Sequence, residues 1–155
     1  MRILSVDYGL ARIGLALCDP TGFLAQGLCV LKRKSDADAA RDIADVVCQH
    51  EVERIVVGLP LNMNGSSGER AEQCQAFAQR LREATGVQVV MYDERLTTVA
   101  AERLLIASDM RRKDRRQVVD AVAATLLLQG YLDSLRMKAE RERQQERESE
   151  SPPFK

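Results

Sequence analysis

The sequence is poor in the side chains most often used for catalysis at neutral pH. Its 155 residues include one histidine, no tryptophan, and only three Tyr and three Phe. The single histidine, His50, sits in a charged stretch, Gln49–Arg54, remote from any nucleophile motif, which argues against Ser/His/Asp or Cys/His catalysis. Cysteine is sparse as well. Cys18, Cys29, Cys48 and Cys74 are scattered, no CxxC spacing occurs, and a zinc site is poorly supplied. Four well-spread cysteines, and a start (MRILSVDYG) that turns acidic too soon for a signal segment, predict a cytoplasmic chain with reduced thiols. No apolar run reaches the roughly 18 residues of a membrane span, so no membrane partner is expected. An excess of either charge is also missing: 23 basic and 23 acidic side chains cancel, which argues against a general polyelectrolyte binder.

What is present is enough chain for one domain with a real core. The charge balance is an average of unlike parts. Residues 101–138 hold 8 basic and 5 acidic groups, and the excess is concentrated in Arg111, Arg112, Lys113, Arg115 and Arg116. Such a cluster can meet phosphates, or it can simply be a solvated loop.

Hydrophobic periodicity predicts the order βββαβαβα(α), a mixed five-stranded sheet flanked by helices. Ile3–Tyr8 and Arg12–Cys18 form a hairpin, and a strand at about Phe23–Leu31, after the Asp19-Pro20-Thr21-Gly22 turn, completes an antiparallel meander. Ser35 or Asp36 caps a helix to about Gln49 whose apolar face holds Ala40, Ile43, Ala44, Val47 and Cys48. Arg54–Leu59 is a short strand with a continuous apolar run after its first residue, as expected where both faces are buried. After a polar loop at Leu61–Gly68, Ser66 and Glu69 make a capping box for a helix that stops at Gly86. Val87–Tyr92 is the fifth strand. Thr97 or Thr98 caps a helix to about Ala107, and a basic loop leads to a last helix from about Gln117. Residues 1–137 are expected to form the domain. Residues 138–155 form a charged, partly disordered tail that begins as a helical extension and frays before Pro152.

With so little else available, the chemistry has to come from acids. Asp7 ends the first strand on the face of Ile3 and Ser5; Asp93 and Glu94 end the fifth, where open α/β sheets bind ligands. Each also has a plain explanation as a charged strand end or helix cap. Asp120 is more informative, because it stands at the start of the apolar run Val118–Leu132. A carboxylate in the first turn of a mostly buried helix costs several kcal/mol to desolvate unless a cation pairs with it. The helix N-terminus recovers only about 0.3–1 kcal/mol. Either an arginine or a metal ion would serve. Three or four converging acids suit hard cations such as Mg²⁺ or Mn²⁺, and two such ions about 4 Å apart can clamp a phosphodiester without any histidine.

Four segments then make a pattern. Asp7-Tyr8-Gly9-Leu10-Ala11-Arg12-Ile13-Gly14-Leu15-Ala16, Val57-Gly58-Leu59-Pro60-Leu61-Asn62, Asp93-Glu94-Arg95-Leu96-Thr97-Thr98 and Val119-Asp120-Ala121-Val122-Ala123-Ala124 resemble, in order, the motifs of the YqgF/RuvX family over about residues 2–134. The resemblance implies an RNase H-like fold related to the RuvC resolvases. It also implies a nuclease for the 5′ end of pre-16S rRNA, with Holliday-junction resolution as the alternative. Carried over by position, Asp7, Glu94 and Asp120 would be the catalytic, metal-binding acids, with Asp93 as a further candidate ligand. One departure is that members often carry lysines just before the final Val-Asp, where this chain has Arg115, Arg116 and Gln117.

Arg12 and Arg95 adjoin these acids and can pair with them or with a substrate phosphate. With Arg111, Arg112, Lys113, Arg115 and Arg116 they make up the expected nucleic-acid contacts. The partner is then an RNA precursor or branched DNA, bound by a monomer or a homodimer. Gly9 and Gly14 permit close backbone approach or merely shape the turn, and the amides of the Asn62–Gly68 loop can hold a phosphate. Two other functions stay open. One is a nucleic-acid-binding factor that does not cleave. The other is an ATPase of the sugar-kinase and actin type, which needs two such domains where 155 residues supply one.

Overall fold

The computed structural model describes residues 1–60, 68–93 and 112–150, with side chains of the last segment from residue 122 onward. The strands are β1 (Ile3–Tyr8), β2 (Arg12–Cys18), β3 (Ala25–Lys32), β4 (Arg54–Leu59) and β5 (Gln88–Asp93). The helices are α1 (Asp36–Gln49), α2 (Glu69–Thr85) and α3 (Arg112–Glu150). One five-stranded sheet runs in the order β3-β2-β1-β4-β5. The β1–β2 and β2–β3 pairs are antiparallel, whereas β1–β4 and β4–β5 are parallel, so the meander and the crossover strands meet at β1.

Strand alternation divides the apolar residues between two layers. Leu4, Val6 and Tyr8 of β1 turn toward α1 and α2 and meet Ile43, Val47, Cys74, Phe77 and Leu81. Ile3 of β1 turns the other way, with Ala16, Cys18 and Val56, toward Ala124, Leu128 and Leu132 of α3. β4, buried along Ile55–Gly58, feeds both layers, as its unbroken apolar sequence requires.

The ends of α1 and α2 follow their local sequence. The Ser35 hydroxyl accepts from the Asp38 amide at 3.1 Å, and Asp36 and Asp38 stand in the first turn, favourable to the helix dipole. Gly86 ends α2 at φ 71°, a left-handed geometry that glycine adopts without strain.

Several expected boundaries move. The third strand starts at Ala25 because Asp19 holds Phe23 and Leu24 in the preceding turn: its Oδ1 accepts from their amides at 2.8 and 3.0 Å. The fifth strand is shifted by one residue. On α1, Cys48 is exposed and Ala39 takes its place in the core, since the buried stripe runs 39/40/43/47. Ser66, the expected cap, lies outside the described residues. Glu69 is the first helical residue, so the cap position falls on Gly68, which offers no side-chain bond. The last helix begins at Arg112 rather than Gln117. Arg112–Gln117 contains neither glycine nor proline, and arginine, lysine and glutamine favour helix, so a basic run need not mark a loop. The expected loop at residues 61–67, the helix from Thr97 or Thr98 to Ala107, and the segment from Pro152 lie outside the described residues. Among the described residues no helix is long and apolar enough to cross a membrane.

Candidate functional site

The parallel strands β1, β4 and β5 end at one edge of the sheet, the edge at which such sheets bind ligands. Asp7 stands there, half-buried, on the α3 face with Ile3 and Ser5. The apolar layer of Ala124, Leu128 and Leu132 docks α3 on this face, and Ser5 fixes where along β1 the helix crosses. Fully buried, Ser5 donates its hydroxyl to the carbonyl oxygen of Ala124 at 2.7 Å, tying the middle of β1 to the helix. Farther along α3, Leu132 and Leu135 border Met1 and Ile3, so the helix runs antiparallel to β1. From the Ser5–Ala124 tie, Asp7 lies about 7 Å up the strand. The backbone of Asp120 lies one turn, about 6 Å, back along the helix in the same direction. The fold therefore carries both acid positions to the same sheet edge. Asp120 is not in the first turn of its helix, as the sequence led one to expect, but about 12 Å into it, because the helix begins at Arg112.

Asp93 falls differently. Val90 and Tyr92 pack in the α3 layer and Val89 and Met91 in the other, so alternation sets Asp93 on the face opposite Asp7. Two strand spacings, about 10 Å, also separate β5 from β1. Glu94, Arg95 and Arg111 lie outside the described residues. Arg112, Lys113, Arg115 and Arg116 occupy the first turns of α3. Arg12 is the first residue of β2, at the Asp7 edge of the sheet. Among the described residues, no three His, Cys, Asp or Glu side chains come together as a metal-ligand group.

Gly9 owes its place to turn geometry. A Cβ there would lie 2.4 Å from the carbonyl oxygen of Arg12, so the hairpin that follows Asp7 closes only on glycine.

On the other face, behind Asp7, is a polar cluster that sequence reasoning missed. The Tyr8 hydroxyl donates to Asp36 Oδ1 at 2.7 Å, and Arg33 Nε donates to the same oxygen at 2.8 Å. Phe77 stacks on the Tyr8 ring with centroids 4.5 Å apart. Arg70, from the first turn of α2, lies over that ring and donates from Nη2 to the Tyr8 carbonyl oxygen at 2.7 Å. It thereby fixes the Tyr8–Gly9 peptide, one residue beyond Asp7. Burial, with the hydrogen bond to Asp36 and its charge, raises the Tyr8 pKa. Burial pushes Asp36 up, but the hydrogen bonds from Tyr8 and Arg33 and the charge of Arg33 outweigh it, and its pKa is lowered. Tyr8 adjoins Asp7 in sequence and could have been suspected. Arg70 carries no local signal, because its partner is 62 positions away.

The antiparallel meander, the parallel strands beyond it, and a helix crossing the face of the central-strand acid define an RNase H-like α/β fold. Solved structures share it: a T. thermophilus RuvC in complex with a Holliday junction substrate matches with TM-score 0.51 and 18% identity, over 82% of this chain and 91% of that one. A fowlpox virus resolvase in complex with Holliday junction DNA matches with TM-score 0.53 and 14% identity, over 87% and 99%. Within that class the chain belongs to the RuvX family, described as Holliday junction resolvase, whose model matches residues 1–134. Relatives from Bacillus thuringiensis (strain Al Hakam) and Bacillus anthracis (strain A0248) are 51% identical over 136 residues. The match covers 86% of this chain and 99% of each of them, and both are named "Putative pre-16S rRNA nuclease".

Proposed function

We propose that this chain is a divalent-metal-dependent nuclease that hydrolyses phosphodiester bonds of precursor rRNA, at the 5′ end of pre-16S rRNA, during ribosome biogenesis. The observation that carries the reading is the Ser5–Ala124 tie, which sets Asp7 and the Asp120 position at one sheet edge. The naming of relatives at 51% identity supports the substrate.

Asp7, Glu94 and Asp120 hold the metal in this reading. Asp93 is the weaker candidate because alternation turns it to the wrong face. All-carboxylate oxygen donors fit Mg²⁺ or Mn²⁺ and not a soft or borderline ion. A pair of such ions supplies Lewis-acid activation and charge neutralisation at the phosphodiester. The protein's own part is to place the acids and hold the strand. Arg116, Lys113 and Arg112 precede Asp120 by 4, 7 and 8 residues, the spacing of one helix side, and so follow the same strand as the acid. Arg115 and Arg111 add charge beside them, and Arg12 and Arg95 flank the acids. None of the four cysteines is in a disulfide, which suits a cytoplasmic enzyme. Residues 1–137 form the nuclease domain in this reading.

Side-by-side incubation of the purified protein with pre-16S rRNA, single-stranded RNA and a four-way DNA junction, in Mg²⁺ or Mn²⁺ and in EDTA, tests this. The expected result is metal-dependent cleavage of the precursor, with the mass of the active species measured alongside. Preferred cleavage of the junction by a dimer would instead make the chain a resolvase. Binding without cleavage would make it a non-catalytic factor.

A further inference from the structure

The ladder of the meander places a cation row beside Asp7. Asp7 pairs with Gly14, and Gly14 with Val30; one step outward on the same face, Arg12 pairs with Lys32. The alternate residues Ile13 and Leu31 pack in the α1/α2 layer, so Arg12 and Lys32 stand on the opposite face, which is that of Asp7. That step is about 7 Å, and β3 lies about 10 Å from β1. Gly14 places no side chain between Asp7 and the edge strand. Lys32 is exposed and forms no ion pair with any described residue.

The next residue is a cation of a different kind. Arg33 turns to the α1 side, where its Nε donates to Asp36 Oδ1 at 2.8 Å and its Nη1 to the Leu10 carbonyl oxygen at 3.2 Å. Its charge is neutralised within the protein. Adjacent positions of one basic run, Lys32-Arg33-Lys34, therefore have opposite fates.

We infer that Lys32, in a row with Arg12, binds backbone phosphates of the RNA strand as it leaves Asp7 and crosses the β1–β2 hairpin toward the β3 edge, and that Arg33 does not. This rests on the nuclease reading above. It adds a direction to it, because the strand would leave the acids on the meander side of the sheet and not only along α3.

The test is binding of a fluorescein-labelled single-stranded RNA, followed by anisotropy across a KCl series in Mg²⁺, with every variant built on Asp7→Asn so that the probe stays intact. Each phosphate contact to a single strand contributes about 0.7 to the slope of log K against log salt. Lys32→Ala is expected to reduce the slope by about that amount, and Lys32→Arg to restore it. Arg33→Gln and the tail variant Lys138→Ala are expected to keep the parent slope, with matching circular dichroism spectra confirming the fold. An unchanged slope in Lys32→Ala, or an equal fall in Arg33→Gln, overturns the row. If the wild type cleaves RNA while Lys32→Ala keeps its slope, only the row falls. If the wild type neither cleaves nor binds, the nuclease reading falls and the row falls with it.

Discussion

Ser5→Ala isolates the contact on which the site geometry depends. Ser5 and Ala124 are both fully buried, and their 2.7 Å hydrogen bond joins the strand of Asp7 to the helix of Asp120. Alanine removes the donor but strands no acceptor, because the Ala124 carbonyl lies mid-helix and retains its bond from the amide four residues on. The cost is thus that of one hydrogen bond, about 0.5–1.5 kcal/mol, without the larger penalty of an unpaired buried group. For a domain of this size each kcal/mol moves Tm by about 2–4 °C, so a fall of roughly 1–6 °C is expected in thermal denaturation followed by far-ultraviolet circular dichroism. The activity should suffer out of proportion. A misplacement of about 1 Å in a reacting group can cost up to about 100-fold in rate, and the tie is within two residues of Asp7 and one helical turn of Asp120. Single-turnover cleavage at saturating metal should therefore slow by more than the stability loss explains. A variant with wild-type Tm and wild-type cleavage would refute the argument that this bond sets the spacing of the acids.

Three further perturbations address the cluster behind Asp7 and the core beneath it. Arg70→Ala removes the bond to the Tyr8 carbonyl and should lower kcat with little change in KM, with Arg70→Lys recovering part of the loss; a pure KM effect would place Arg70 on the substrate instead. Asp36→Asn tests the pH dependence. The folded pKa of Asp36 is lowered, so its contribution is present above the unfolded value of about 3.9 and is lost as pH falls through the folded value. Wild type should exceed Asp36→Asn in Tm near neutrality, and the two should converge in acid below about pH 4; a gap independent of pH would show that the ion pair does not carry it. Phe77→Ala, at a fully buried ring stacked on Tyr8, should cost about 3–5 kcal/mol in urea denaturation, and a loss under about 1 kcal/mol would contradict its place in the core.

Much of the fold was legible because local chemistry and tertiary demand agree in it. The bounds of β1, β2 and β4 and the caps of α1 and α2 at Ser35 and Gly86 follow from alternation, apolar runs and capping residues. Phe23 and Leu24 have the composition of a strand, yet Asp19 captures their amides, and turn chemistry prevails over propensity. At Arg112–Gln117 a dense basic charge suggested a loop, but the segment is helical, as the helix propensity of arginine, lysine and glutamine allows. The acids were visible as carboxylates at costly places. Their supports were not: Ser5 is an ordinary small residue until Ala124 meets it across 119 positions, and Arg70 reaches Tyr8 across 62. Lys32 and Arg33 look alike in sequence, and only the ladder register separates them.

In the proposed mechanism, carboxylates at the end of β1 and on α3 hold a metal for phosphodiester hydrolysis. Its most direct test is cleavage of pre-16S rRNA in Mg²⁺ by wild type, Asp7→Asn and Asp120→Asn, each first shown to keep the wild-type circular dichroism spectrum. Wild type should cleave, EDTA should abolish that cleavage, and neither folded variant should cleave. Wild-type rates from both asparagine variants would contradict that mechanism.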